Sequence, residues 1–154
     1  MAAGAWKVFN RAKKAIGNGT MSLSATTFHI CLAQSSSNLK TTASARPLIM
    51  RGSVTNQVAS TTGHPTGGDA LAGEVWTAGS TASTLKFDVT DHVFTALGSP
   101  ILAIKYAIIY ATGASAAAQK LLCYSTLTTS PIASLAATNT LTIQMNTSGV
   151  LTLS

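Results

Sequence analysis

The stretch ILAIKYAIIYAT, residues 101 to 112, alternates with a period of two from end to end. Ile104, Tyr106, Ile108 and Tyr110 fall on one side; Ala103, Lys105, Ala107, Ile109 and Ala111 fall on the other. A strand that is apolar on both faces, one face large and the other mostly small, belongs at the centre of a sheet covered from both sides. The rest of the chain must therefore supply neighbouring strands and two covering layers.

Further segments carry the same period. TFHICLA sets Phe28, Ile30 and Leu32 against His29, Cys31 and Ala33, while TLKFDV sets Leu85, Phe87 and Val89 against Lys86 and Asp88. QKLLCYST follows the turn-like TGASAAA and reads as the hairpin partner of the central strand. TLTIQMNTSGVLTL gives Leu141, Ile143 and Met145, a turn at NTSG, then Val150 to Leu153, a pattern that predicts a terminal hairpin. Between these lie Ser, Thr, Gly and Pro tracts at 33 to 47, 59 to 73 and 77 to 84, read as functional loops or as surfaces ordered by a partner.

One segment has a different period. In AWKVFNRAKKAIGNGT, Ala5, Val8, Phe9, Ala12 and Ile16 share one side of a helical wheel, Lys7, Arg11 and Lys14 share the opposite side, and Trp6 and Lys13 mark the border. With Gly17 as a stop, the spacing predicts one amphipathic helix over 4–16, packed on the domain as its first 17 residues. The 154 residues suit one domain, and the expected fold is mainly β, a jelly-roll-like antiparallel β-sandwich of about eight strands with this one short N-terminal helix.

Charge is scarce and unevenly placed. Only 9% of residues are charged against 46% apolar, so the surface is hydroxyl-rich or largely covered by neighbouring subunits. No acid precedes Asp69; residues 1 to 68 carry Lys7, Arg11, Lys13, Lys14, Lys40, Arg46 and Arg51. The remainder sets Lys86, Lys105 and Lys120 against Asp69, Glu74, Asp88 and Asp91. The N-terminal half thus expects an acidic partner.

Chemistry-bearing groups are few. Asp88 and Asp91 are spaced as a strand end running into a turn rather than as a catalytic carboxylate pair. His92 beside Asp91 invites a triad, but no nucleophile elbow exists in the sequence. His29, Cys31, His64, His92 and Cys123 lack metal-ligand spacing, and GHPTGGD lacks the lysine and helix of a phosphate loop. Cys31 and Cys123, each in an apolar stretch, read as buried free thiols. No enzyme, cofactor or metal is therefore expected. No apolar run is long enough for a membrane span. The basic N-terminus has the character of a transit peptide, yet its GNGT turn leads directly into the first strand. Direct nucleic-acid binding is not expected, because the basic stripe has no interleaved aromatic platform.

Three stretches, in order, resemble a family of small virion proteins of tailed bacteriophages. FNRAKKAIGNGTMSLSATTFHICLA is similar to that family's start, a short helix, a G-x-G-T turn and a strand. KYAIIYATGA resembles its central A-x-Y-A-V-I-Y strand, and TLTIQMNTSGVLTL its terminal segment F-T-I-x-W-N-x-x-G-I-I-T-L. This chain departs in lacking acids around GNGTMSLSATT and in carrying Met145 where an aromatic is common. The resemblance implies a structural protein, made in the host cytoplasm, that decorates the capsid exterior as a trimer and cements major capsid subunits. Lys7, Arg11, Lys13 and Lys14 are the candidate capsid-binding residues. A tail or receptor-binding component is the alternative within virions, and a basic nucleic-acid-binding module the alternative outside them.

Overall fold

The computed structural model describes residues 4–24, 26–41, 48, 50–59, 63–78, 84–115, 117–128, 132–146 and 149–153. The predicted central strand is β7 (Ile101–Ala111), with β2 (Phe28–Gln34) along one edge. Along the other edge run β8 (Leu121–Thr126) and, towards the start of β7, β9 (Ile132–Leu135). Two short strands finish this sheet, β1 (Lys7–Val8) outside β8 and β3 (Asp69–Ala70) outside β2. All pairings among the described residues are antiparallel.

Register explains why both faces of β7 are apolar. Partners in an antiparallel pair point the same way. Phe28, Ile30 and Leu32 therefore share a face with Ala111, Ile109 and Ala107, while His29, Cys31 and Ala33 share the other with Tyr110, Ile108 and Tyr106. The small-residue face meets a second layer, where Phe28 contacts Phe87 with ring centroids 5.3 Å apart. The large-residue face lies under the N-terminal helix and the segment around Arg51, which contact Tyr124 through Phe9 and Tyr110 respectively. Ala103, with φ 54°, is passed over by the β9 ladder, while the β2 ladder shifts between Ala33 and Gln34 and the β8 ladder between Ile109 and Tyr110.

The second layer contains β4 (Val75–Ala78), β5 (Leu85–Asp88) and β11 (Leu151–Leu153), together with β6 (His92–Thr95) paired to β10 (Thr140–Ile143). Here the expected terminal hairpin is overturned: β10 pairs with β6 and β11 with β5, not with each other. In the NTSG segment the Gly149 N–H donates to the Asn146 carbonyl at 2.8 Å. Its role is to carry the chain round a corner. Residues 87–91 are tied to the described residues on either side of that segment by the Met145 N–H on Asp91 Oδ1 at 2.7 Å and the Val150 N–H on the Phe87 carbonyl at 2.9 Å. The β-sandwich with one short helix is as expected, but it is assembled from eleven strands among the described residues, two of them only two residues long.

The helix begins later than its periodicity predicts. α1 spans Asn10–Gly17, and Lys7 and Val8 instead pair with Tyr124 and Cys123. Strand β8 offers an edge, and the Phe9 N–H takes the Leu122 carbonyl at 3.1 Å, so pairing captures the residues that the wheel placed in the first helical turns. Phe9 and Ala12, both 1% exposed, seat α1 on the sheet. Asn18 and Gly19 close it, with Gly19 at φ 73° and the N–H groups of Thr20 and Met21 on the Ala15 carbonyl.

The long polar tracts are less loop-like than expected where they are described. Asn38–Lys40 forms a single 3₁₀ turn capped by the buried Ser37 hydroxyl, and residues 63–71 pack over β2. Gly68, at φ 80°, leaves no space for a side chain: a Cβ there would lie 1.9 Å from the Ile30 carbonyl oxygen. Residues 42–47, 60–62 and 79–83 of those tracts lie outside the described residues.

Candidate functional site

The four basic candidates are brought into one region but do not form a single stripe. Arg11 and Lys14, three residues apart on α1, line one flank of the helix in a groove of about 190 Å³ with Asn18, Thr20 and Lys120. Lys120 Nζ donates to the Thr20 carbonyl at 2.9 Å, which places a third cation there from the far end of the β7 to β8 connection. Lys13 points to the other flank and lines a larger groove, about 650 Å³, together with Lys7. Lys7 is on β1, across from Tyr124, with Nζ 5.8 Å from the ring centroid. The wheel grouping of Lys7 with Arg11 and Lys14 is therefore corrected. Strand geometry moves Lys7 to the side of Lys13.

Among the described residues none of these cations is in an ion pair. Ion pairs among the described residues are limited to Lys86 with Asp88 at 3.0 Å and His92 with Asp69 at 3.2 Å. All four acids of the sequence have partners: Asp69 and Asp88 in those pairs, Asp91 on the Met145 N–H, and Glu74 Oε1 on the Phe28 N–H at 3.4 Å. Lys7, Arg11, Lys13 and Lys14 are exposed on a platform fixed by Phe9 and Ala12. Arg51, by contrast, is an internal strut. Its guanidinium donates to Gln119 Oε1 and to Gln57 Oε1, and its Cζ lies 5.4 Å from the Tyr110 ring centroid. The Tyr110 hydroxyl in turn donates to the Gly67 carbonyl, and burial pushes that phenol up to about 12.

The residues weighed for catalysis or metal binding have structural work. Asp88 is tied to Lys86 and to the Val89 N–H, and Asp91 holds the corner of the second layer. His92 turns to Asp69 on β3, bridging the layers, rather than to its neighbour Asp91. His64 is 1% exposed; its Nε2 accepts the Leu32 N–H at 3.3 Å and its ring stacks near Phe94. Desolvation is the main influence on both His64 and His29, and it lowers both below the usual histidine range. Cys31 and Cys123 are free thiols on opposite faces of the same sheet, since Cys31 shares its face with Ile108 and Tyr124, next in sequence to Cys123. Burial pushes Cys31 up to about 12 and Cys123 in the same direction. Among the described residues no three His, Cys, Asp or Glu side chains converge on a point where a metal ion could sit, and no helix is long and apolar enough to cross a membrane.

Sequence reading missed Lys120, whose contact with Thr20 spans a hundred positions, and the pairing of His92 with Asp69. Neither leaves a local signal. In comparisons with protein-family models, with curated proteins and with solved structures, nothing matches this chain.

Proposed function

We propose that this chain is a non-enzymatic virion protein that decorates the outer surface of a tailed-phage capsid and stabilises the shell by bridging major capsid subunits. The observation that carries the reading is the unneutralised cation cluster of Lys7, Arg11, Lys13 and Lys14 on a rigidly seated helix and its preceding strand. A fixed platform loses little freedom on binding, so its charges act in full on an acidic surface. The four acids of the chain each accept a contact inside the fold, which supports an acidic surface on a different protein. The major capsid protein is the partner that the three family-like stretches imply.

Stabilisation follows mass action. A protein that binds the assembled shell and not the disrupted one shifts the equilibrium by about 2.7 kcal/mol at a free concentration of a hundred times its Kd. A trimer placed where capsomers meet would multiply this by engaging several subunits at once.

Purified capsids stripped of the protein, titrated with the native chain and with an Arg11→Glu/Lys14→Glu variant, test the reading. The expected result is saturable binding by the native chain that raises the temperature at which capsids open. The variant should need at least a tenfold higher concentration for half occupancy. Equal occupancy by both, or no binding to capsids at all, would sink it.

A further inference from the structure

The larger groove beside α1 lies between the ends of two sheets. β1 ends the strand order of the six-stranded sheet and β11 ends that of the three-stranded sheet, and residues of both line the groove. In an antiparallel ladder the hydrogen-bonding groups of alternate residues face the partner strand. Phe9 donates to Leu122 in β8, so Lys7 faces β8 as well, and the N–H and C=O groups of Trp6 and Val8 turn towards the groove. Among the described residues no strand pairs with this edge, and such an edge is a template for a further strand.

The side chains along β1 say what such a strand must carry. Lys7 lies with Phe9 and Tyr124 on one face, whereas Trp6 and Val8 lie on the opposite face and pack partly against the core. The groove wall holds two cations, Lys7 and Lys13, and no acid. Trp6 Nε1, also at this wall, is buried with no acceptor among the described residues. Next to β1, alternate side chains of an added strand would face Lys7 on one side and Trp6, Val8 and Leu151 on the other. The volume, about 650 Å³, is within the roughly 300–1,000 Å³ of sites that enclose a ligand.

We propose that this groove receives an extended segment of another protein, with carboxylate and apolar side chains in alternation, added as a new edge strand beside β1. A second copy of the chain is not the occupant, because no two of its four acids, Asp69, Glu74, Asp88 and Asp91, stand at alternate positions of one segment. The proposal deepens the capsid reading by giving the form of the partner segment, and it rests on that reading only for the partner's identity.

The test uses the intact chain with Trp76→Phe, which leaves Trp6 as the only tryptophan and its fluorescence as the reporter. The probe is the acetylated and amidated hexapeptide Glu-Val-Glu-Val-Glu-Val. Controls are the block peptide Glu-Glu-Glu-Val-Val-Val and an alternating peptide N-methylated at every second residue, one set for each edge. The expected result is saturable binding of the alternating peptide, at least tenfold weaker binding of the block peptide, and loss of binding for one of the two N-methylated sets. Lys7→Gln should weaken the alternating peptide at least threefold and leave the far-ultraviolet dichroism of the protein unchanged. Equal binding of block and alternating peptides, indifference to both methylated sets, or no saturable binding would overturn the added strand. None of those outcomes touches capsid occupancy, which is read on particles and tests the functional reading separately.

Discussion

Replacing Phe87 by alanine removes the side chain that joins the two layers, and the structure sets how much that costs. Phe87 is fully buried, with ring centroids 5.3 Å from Phe28 and 5.7 Å from Trp76. Phe→Ala changes in well-packed cores cost about 3–5 kcal/mol, and each aromatic pair adds about 0.5–1.5 kcal/mol beyond area burial, so the upper part of that range, about 4–5 kcal/mol, is expected. Leu85 is the internal control. It shares the strand and the face of Phe87 but is 53% exposed, so Leu85→Ala should cost about 1 kcal/mol or less. In urea unfolding with a slope of about 2 kcal/mol per molar, the two variants should differ in midpoint by roughly 1.5–2 M. A cycle through Phe28→Ala should show coupling of about 0.5–1.5 kcal/mol. Midpoints that agree within about 0.5 M, or a cycle with no coupling, would refute the placement of Phe87 between the layers.

Two further outcomes follow from buried titratable groups. Cys31, pushed up to about 12, and Cys123, shifted in the same direction, should stay unlabelled by iodoacetamide at neutral pH in the folded protein, and both should react in denaturant; rapid labelling of either under native conditions would contradict their burial. His64 is held below its ordinary 6.5, so as pH falls through that value the unfolded chain takes up a proton that the folded chain refuses. Its contribution to stability is complete above about 6.5 and is lost below it, at up to about 1.4 kcal/mol per pH unit, with His29 acting in the same direction. Urea midpoints measured between about pH 7.5 and about pH 5 should fall, and His64→Gln should flatten that fall; an unchanged slope would be the contrary result.

The strands of the sheets were legible because side-chain alternation is a local consequence of the pleat. Both faces of β7 are buried as the paired apolar sets required, and β2 and β8 flank it. Pairing is not local. Nothing in TLTIQMNTSGVLTL distinguishes a turn that reverses the chain from one that bends it round a corner, since both require the same Asn and Gly. The choice was made by residues 85–95, which pass from one sheet of the second layer to the other and offer a partner to each half of the C-terminal segment. Leu85 illustrates the same limit on a smaller scale: its alternation with Phe87 is correct, but its exposure depends on how far the neighbouring layer extends.

The candidate site was legible as composition and illegible as geometry. An acid-free N-terminal half reports that its cations find few acids close in sequence, and among the described residues none of the four proposed residues is in an ion pair. Their arrangement depended on where α1 begins. Over the six residues Ala5 to Asn10 the helical period groups Val8 with Phe9, whereas the strand puts them on opposite faces, and a stretch this short carries too few positions for its pattern to choose. The edge of β8 chooses by offering hydrogen bonds to Phe9 and Gly4 that a helix over those residues would forgo. That choice divides the cations into a pair beside an open strand edge and a pair beside Lys120, so one basic segment presents two surfaces of different chemistry. Charge reversal at Arg11 and Lys14 and charge removal at Lys7 therefore probe separate contacts, and a partner that uses both must approach across the helix.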